Sequence, residues 1–307
     1  MTVALSHWPT PLDAAPRLAV AVGLRPGDLW VKRDDLTDLG GGNKIRKLEH
    51  LVAEAEAAGA TVLVTSGGVQ SNHARMTAAA AARRGLGCVL VLAGDADPQR
   101  PGNLALEGLF GARVDLGGDP VAAADELRDA GERPFLIPLG GSSPTGARGY
   151  LACAAELEEQ APDLAHVVTA VGSGGTMAGL VAGLGAERVL GVDTGAVDDP
   201  VERVTALVEA LGGSVGALRL RSDQVGAGYG AITAAGEHAI RTAASTEGLV
   251  LEPTYTAKAL AGLVAAVADG DVRPGERTVW LHTGGLPGFF GHPFAEQAAQ
   301  EVLTHRE

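Results

Sequence analysis

The chain has 307 residues, 46% of them hydrophobic and 20% charged, enough for two domains and a sizeable buried core. Its formal net charge of −13, with no run of Lys and Arg, speaks against a nucleic-acid partner, because phosphate backbones are met by basic faces. The two cysteines, Cys88 and Cys153, lie in apolar stretches and read as free core thiols suited to a reducing compartment.

In chain order, the first segment has no basic region followed by an apolar one. Its longest apolar run, LAVAVGL at 18–24, sits between Arg17 and Arg25-Pro26 and is too short to cross a membrane, so a cytoplasmic protein is expected. After the loop DLGGGN, the stretch RKLEHLVAEAEAAG places Leu48, Leu51, Val52 and Ala55 on one helical face and stops at Gly59. TVLVT (61–65) reads as a buried strand, followed by the loop SGGVQSNH, a helix through ARMTAAAAARRG and the strand CVLVLAG (88–94). A helix over 103–110, a strand near 113–116, a helix over 121–130 and a strand FLIPLG over 135–140 continue the alternation. GGSSPTGARGY (140–150) reads as a turn-rich break and a crossing point between domains. A second series follows: helix 151–160, strand 166–171, loop GSGG, helix 176–184 and strand 188–193. Segment 195–250 is mostly helical; a strand near 249–252, a helix over 256–268 and the strand RTVWLHTGG close the chain's core. Alternating strands and helices predict an α/β protein with two open parallel sheets whose strand-end loops share a cleft. The expected division is 47–150 as a small domain, with 1–46 and 151–307 as a large one.

Only four lysines occur, at 32, 44, 47 and 258, while other basic positions are arginine. A desolvated lysine can lose its proton and act as a nucleophilic amine, which arginine cannot. Lys44 stands where a helix begins, a position the helix dipole disfavours for a cation. The loop VGSGGTMAGL (171–180) leaves a strand and opens a helix, so its amides and the helix dipole suit a phosphate group. It is neither a dinucleotide nor a Walker fingerprint, and alone it is as readily a packing turn. SGGVQSNHAR (66–75) has the same setting, with Ser71 or Asn72 as helix cap and free amides able to take a carboxylate. His73 lacks a second His or Cys at ligand spacing, so no metal site is expected. A Schiff base at Lys44 with a pyridoxal cofactor, its phosphate at Gly172–Thr176 and its ring oxygen at Asn72, would use all three elements.

The stretches KRDDLTDLGGGNKIRKLE, GGVQSNHARMTAA, GSGGTMAGL, GAGYG, EPTYTAKALAGL and HTGGLPG run in order from about residue 8 to 293. Together they resemble the D-cysteine desulfhydrase / 1-aminocyclopropane-1-carboxylate (ACC) deaminase family of fold type II, tryptophan-synthase-β-like enzymes. The resemblance implies two open twisted α/β domains with pyridoxal 5'-phosphate in the cleft between them. It implies that Lys44 forms the internal aldimine and moves the Cα proton, and that Gly172, Ser173, Gly174, Gly175 and Thr176 hold the phosphate. Asn72 would bond the ring oxygen, Ser71, Asn72 and His73 would bind substrate, and Ser71, Tyr229 and Tyr255 would line the reacting face. Thr283 would meet the ring nitrogen with a neutral hydroxyl, which suits β-elimination.

Within the family, the deaminases carry Glu after the second tyrosine, where this chain has Thr256, and lack the threonine of HTGG. QSNH also matches the desulfhydrase side. The expected reaction is therefore elimination from a small β-substituted amino acid, D-cysteine first, giving pyruvate, ammonia and the leaving group. L-cysteate, or a biosynthetic β-replacement, is the alternative, and ACC the lesser one. Ile45, where Thr is common, and Gly175, where some members have Ala, depart from the pattern; Ile45, adjoining the Schiff base, bears on substrate rather than cofactor. A homodimer is implied by resemblance only. A two-domain binding protein for small amines or sugars would share the architecture, but has no need of a buried lysine. A nucleotide-dependent enzyme would need a dinucleotide or Walker loop, and neither is present.

Overall fold

Along the apolar runs successive side chains point to opposite faces of a sheet and both faces are buried, which builds two sheets covered on either side. The computed structural model describes residues 1–304. The chain enters through β1 (Leu12–Ala14), α1 (Pro16–Ala21) and β2 (Leu29–Lys32), reaches α2 (Lys44–Ala57), and then alternates. The order is β3 (Val62–Gly68), α3 (Asn72–Arg84), β4 (Gly87–Ala93), α4 (Gly102–Leu109), β5 (Arg113–Leu116), α5 (Pro120–Asp129) and β6 (Pro134–Leu136). Next come α6 (Pro144–Gln160), β7 (Leu164–Val171), α7 (Gly175–Leu184), β8 (Val189–Asp193), α8 (Pro200–Ala210) and β9 (Arg219–Arg221). The last elements are α9 (Ala234–Glu247), α10 (Thr256–Ala268), β10 (Arg277–Leu281), α11 (Leu286–Phe290) and α12 (Phe294–Thr304).

Four strands pair in the order β5-β4-β3-β6, all parallel, and six in the order β1-β2-β10-β7-β8-β9, parallel except for β1 against β2. In the smaller sheet Leu63, Leu90 and Leu92 face one apolar cluster, while Val62, Val64, Val89 and Val91 face the other. In the larger sheet Val168, Ala170, Leu190 and Val192 face one side, and Val167, Val171, Val189 and Val279 the other. Helices cover both faces, as parallel sheets require. The strand order reverses beside β3 in one sheet and beside β7 in the other. Loops leaving neighbouring strands diverge at such switch points and open a crevice. The loops after β3, β7 and β10 all reach the same crevice.

Three expectations from the sequence need correction. The strand expected over 135–140 ends at Leu136; Leu139–Gly141 is a 3₁₀ turn with Gly140 and Gly141 at φ 64° and 63°, which bends the chain into the cleft. The turn-rich break at 140–150 is largely helix. Ser143 caps α6 by accepting from the Gly146 amide at 3.1 Å, and Pro144 takes the first helical position. Gly146 and Gly149 are there for close packing, since a Cβ would lie 2.1 Å from the Gly141 carbonyl oxygen and 2.2 Å from that of Arg46. The segment 249–252 forms no strand. Leu249 and Leu251 are buried and Val250 exposed, so its alternation reflects core packing of an extended segment without a sheet partner. The expected division points at 46/47 and 150/151 fall inside α2 and α6.

Candidate active site

Three consecutive glycines end the loop before α2, with φ of 83°, 76° and 133°. A Cβ on Gly41 would lie 2.1 Å from the Asp35 carbonyl oxygen, and one on Gly42 2.2 Å from Met76 Cε, so only glycine fits. The loop is tied down where Gly42 N–H meets Asp34 O at 2.9 Å and Asn43 N–H meets Thr283 O at 3.1 Å. This holds Lys44, first residue of α2, at the cleft. Its Nζ donates to Asn43 Oδ1 at 2.9 Å, the one hydrogen-bond partner among the described residues of an ammonium with three N–H bonds. Burial lowers its pKa to about 8, with Glu252 acting against the shift and Arg75 adding to it. A fraction of the amine is therefore neutral near pH 7, as a nucleophile needs.

A cleft of about 370 Å³ opens beside it. Lys44, Ser71, Asn72, His73, Gly172, Ser173, Gly174, Thr176, Tyr229, Tyr255 and Thr283 all line it. Gly175 does not; its amide points to Ser142 Oγ at 3.1 Å, behind the loop. The Gly172–Thr176 loop has the shape of an anion cradle. Gly174 sits at φ 88°, and the amides of Ser173 and Gly174 make no hydrogen bond among the described residues. A Cβ on Gly172 would lie 3.0 Å from the Tyr255 ring, so the glycine keeps that approach open. Thr176 is held by Asn43 Nδ2, which donates to its Oγ1 at 3.1 Å.

Across the cleft, Ser71 caps α3, its Oγ accepting from the Ala74 amide at 3.1 Å. Asn72 Oδ1 accepts from Asn103 at 2.9 Å. His73 is buried, with Nε2 3.0 Å from Thr65 Oγ1. The Thr65 hydroxyl donates to Ile137 O, so it accepts from His73, which leaves Nδ1 as a bare acceptor with no partner among the described residues. Burial, then Lys44 and Lys47, hold the imidazole's pKa well below its ordinary value, so His73 is neutral. No cluster of metal-ligating side chains occurs among the described residues.

Tyr229 and Tyr255 meet edge to face, hydroxyls 2.7 Å apart and ring centres 5.9 Å apart. Lys44 Nζ lies 5.8 Å from the centre of the Tyr255 ring. Burial raises both phenols, Tyr255 well above its usual value, so both stay protonated. Thr283 lines the opposite wall, and its hydroxyl makes no hydrogen bond to another described residue. Thr256 is buried outside the cleft, bonded to Glu252. Glu252 itself accepts from the amides of Thr254, Tyr255 and Thr256 at 2.7–2.8 Å, and burial raises its pKa. It anchors the start of α10 and does not line the cleft.

The sequence reading missed Lys47 and Ser142. Lys47 Nζ donates to Gly140 O at 3.2 Å and Ser142 Oγ at 3.0 Å, and Ser142 Oγ lies 2.7 Å from Ser173 Oγ. A Cβ on Gly175 would be 3.1 Å from Lys47 Nζ, so this lysine stands directly behind the anion cradle. Its position one helical turn after Lys44 was the available signal.

The residues therefore fit an aldehyde- and phosphate-bearing cofactor. An amine of lowered pKa faces a glycine-lined anion cradle, an asparagine offers a polar contact, and a free hydroxyl stands on the far wall. Comparison with known proteins agrees. The family model described as "Pyridoxal-phosphate dependent enzyme" matches residues 3–284. A putative ACC deaminase of Pyrococcus abyssi is 41% identical, over 94% of this chain and 92% of the relative. A D-cysteine desulfhydrase of Klebsiella pneumoniae is 39% identical, over 93% and 94%. The crystal structure of an ACC deaminase homologue superposes with a TM-score of 0.87 at 36% identity, covering 97% of this chain and 95% of the other. A threonine deaminase of Solanum lycopersicum, at 17% identity and TM-score 0.67 over 92% and 80%, shares the fold.

Proposed function

Since the chain belongs to the pyridoxal-phosphate-dependent enzyme family, with the fold type II architecture, we propose that it eliminates the β-substituent of a small amino acid, D-cysteine first. The overall reaction consumes D-cysteine and water and releases pyruvate, sulfide and ammonia. The observation that carries this reading is that no Asp or Glu among the described residues lines the cleft. When bound, the cofactor supplies an electron sink conjugated to the substrate's Cα. Lys44 would hold it and, once displaced by the substrate's amine, would take the proton from Cα. Gly172–Thr176 and Lys47 would hold the phosphate, Asn72 the ring oxygen and Thr283 the ring nitrogen. The amides at the start of α3, with Ser71 and His73, would take the substrate's carboxylate. The neutral Tyr229–Tyr255 pair would close the reacting face.

Sulfide departs without a strong acid, whereas opening a cyclopropane needs a positioned proton donor and a more electron-poor ring. The nearest carboxylate on α10's side, Glu252, has its oxygens committed to three backbone amides. Activity on ACC should therefore be lower by at least about 10²-fold, some 2.7 kcal/mol of barrier. A panel of D-cysteine, L-cysteine, L-cysteate, other β-substituted alanines and ACC, scored for pyruvate, sulfide, sulfite and 2-oxobutyrate, tests this. Release of 2-oxobutyrate from ACC at a rate comparable to pyruvate from the other substrates would overturn it. Sulfite from L-cysteate as the fastest product would keep the elimination and move the substrate. The family likeness also supports a homodimer, which sedimentation would read. Cys88 and Cys153, both buried with pKa pushed up to about 12, support a reducing, cytoplasmic setting.

A further inference from the structure

We propose that Asn103, a buried residue outside the cleft, is a positioning residue that forces the Asn72 amide to present its N–H donors to the cofactor. The inference rests on the reading that places the ring oxygen at Asn72. Asn103 is fully buried in the first turn of α4. Its Oδ1 accepts from Arg75 Nε at 3.1 Å, and a guanidinium can only donate. Its Nδ2 donates to the Gln70 main-chain carbonyl at 2.9 Å, and a carbonyl can only accept. The two ends of the Asn103 amide are thus assigned by the chemistry of their partners, with no freedom to exchange O and N.

The second hydrogen on Asn103 Nδ2 meets Asn72 at 2.9 Å, so the Asn72 atom there must be oxygen. Asn72 Nδ2 is left with no partner among the described residues, on a side chain that lines the cleft. Turning that amide over would set two donors face to face and lose a buried hydrogen bond. Gly285 and Gly288 flank the two amides: a Cβ on Gly285 would lie 3.2 Å from Asn72 Nδ2, closer than ordinary contact, and one on Gly288 3.5 Å from both Asn103 Nδ2 and Asn72 Oδ1, an ordinary contact. Arg75 also donates to Leu39 O at 2.6 Å and Gly41 O at 3.1 Å, in the loop that delivers Lys44. One guanidinium therefore aligns both the amine and, through Asn103, the amide. A donor-only contact favours a deprotonated ring oxygen over a protonated one.

Asn103→Asp tests this. The carboxylate keeps the bond from Arg75 but replaces the donor with an acceptor, so Asn72 should turn its nitrogen away from the cofactor. The reconstituted variant should show the cofactor's shorter-wavelength absorbance over a wider pH range, its spectral midpoint displaced by about one pH unit, a tenfold change in that equilibrium. Cofactor affinity should fall by a similar factor. Asn72→Ala alone should move the same midpoint, and adding Asn103→Asp to Asn72→Ala should move it no further. An unmoved midpoint in Asn103→Asp beside a moved one in Asn72→Ala would overturn the role of Asn103. An additional shift in the double variant would overturn its action through Asn72. No shift in Asn72→Ala would instead overturn the placing of the ring oxygen. Should Asn103→Asp fail to fold, Asn103→Ala, which also removes the donor, is judged by the same criteria.

Discussion

Replacing Lys44 with methionine should make the cofactor-free protein more stable at neutral pH, although it destroys cofactor capture. The reason is the cost of holding an ammonium where burial has lowered its pKa from 10.5 to about 8. A base whose folded pKa is depressed binds fewer protons in the folded than in the unfolded state between those two values. Stability therefore rises with pH across that window, and below pH 8 the full penalty is present. Between pH 7 and pH 10 the linkage integrates to about 2.5 kcal/mol at most, and water entering the open side of the cleft screens this to roughly 1–2 kcal/mol. Methionine has similar length and no charge, so the variant lacks this dependence. Denaturant unfolding of both proteins, freed of cofactor, at pH 7, 8, 9 and 10 gives the difference at each pH, in which titrating groups not coupled to Lys44 cancel. The variant's stability relative to the parent should be greatest at pH 7 and shrink from pH 8 upward. A difference that stays constant from pH 7 to pH 10 would refute burial of the charged amine as the cause. Covalent retention of the cofactor by the variant after borohydride reduction would separately refute Lys44 as the capturing amine, since that amine would then lie elsewhere.

Lys47→Met should keep the visible absorbance of the saturated protein but weaken cofactor binding by at least about tenfold, because one charge-assisted contact to the phosphate is lost; a titration followed by absorbance reads both. Unchanged affinity would remove Lys47 from the anion site. Thr283→Val should preserve folding and cost cofactor affinity about 0.5–1.5 kcal/mol, one neutral hydrogen bond, in the same titration. A spectrum whose pH dependence matches the parent, together with unaltered affinity, would show that the Thr283 hydroxyl does not meet the ring nitrogen.

Much of the fold was legible because strand and helix leave different periods in a sequence. The runs at 61–65, 88–94 and 166–171 are apolar on both faces, and β3, β4 and β7 are buried on both. What failed were segments whose residues serve two purposes. Glycines at 146 and 149 carry a turn's composition, yet they lie in α6 because α2 and the 140–141 turn pass too close for any side chain. Leu249 and Leu251 alternate like a strand, but the hydrogen bonds beside them run from the amides at the start of α10 to the Glu252 carboxylate. Composition records which groups must be close or buried, and it does not record which neighbour imposes the closeness.

The lysines show where sequence reasoning about the site stops. Scarcity narrows the nucleophile to four positions, and all four are wholly or partly buried, so neither rarity nor burial separates them. Their hydrogen bonds do. Lys258 Nζ donates to the carbonyls of Thr194, Val225 and Gly228 at 2.9–3.2 Å, which uses all three N–H bonds and holds the loop that carries Tyr229. Lys32 likewise donates to Thr10 O and Gln160 Oε1 and pairs with Glu156 at 2.7 Å. An amine with every donor committed has no N–H left for a ligand, even where, as at Lys258, burial lowers its pKa. Lys47 has two partners and a third N–H to offer an anion, and Lys44 has one partner and two N–H bonds to spare. Function follows the unsatisfied donors rather than the pKa, which burial lowers at Lys44, Lys47 and Lys258 alike: three partners make a structural clamp, two leave one N–H for a phosphate oxygen, and one leaves the least tethered amine at the cleft. Such a ranking requires knowing which carbonyls converge on each Nζ. Val225 and Gly228 lie 33 and 30 residues from Lys258, and Thr194 lies 64, so no local pattern around the lysine could have given it.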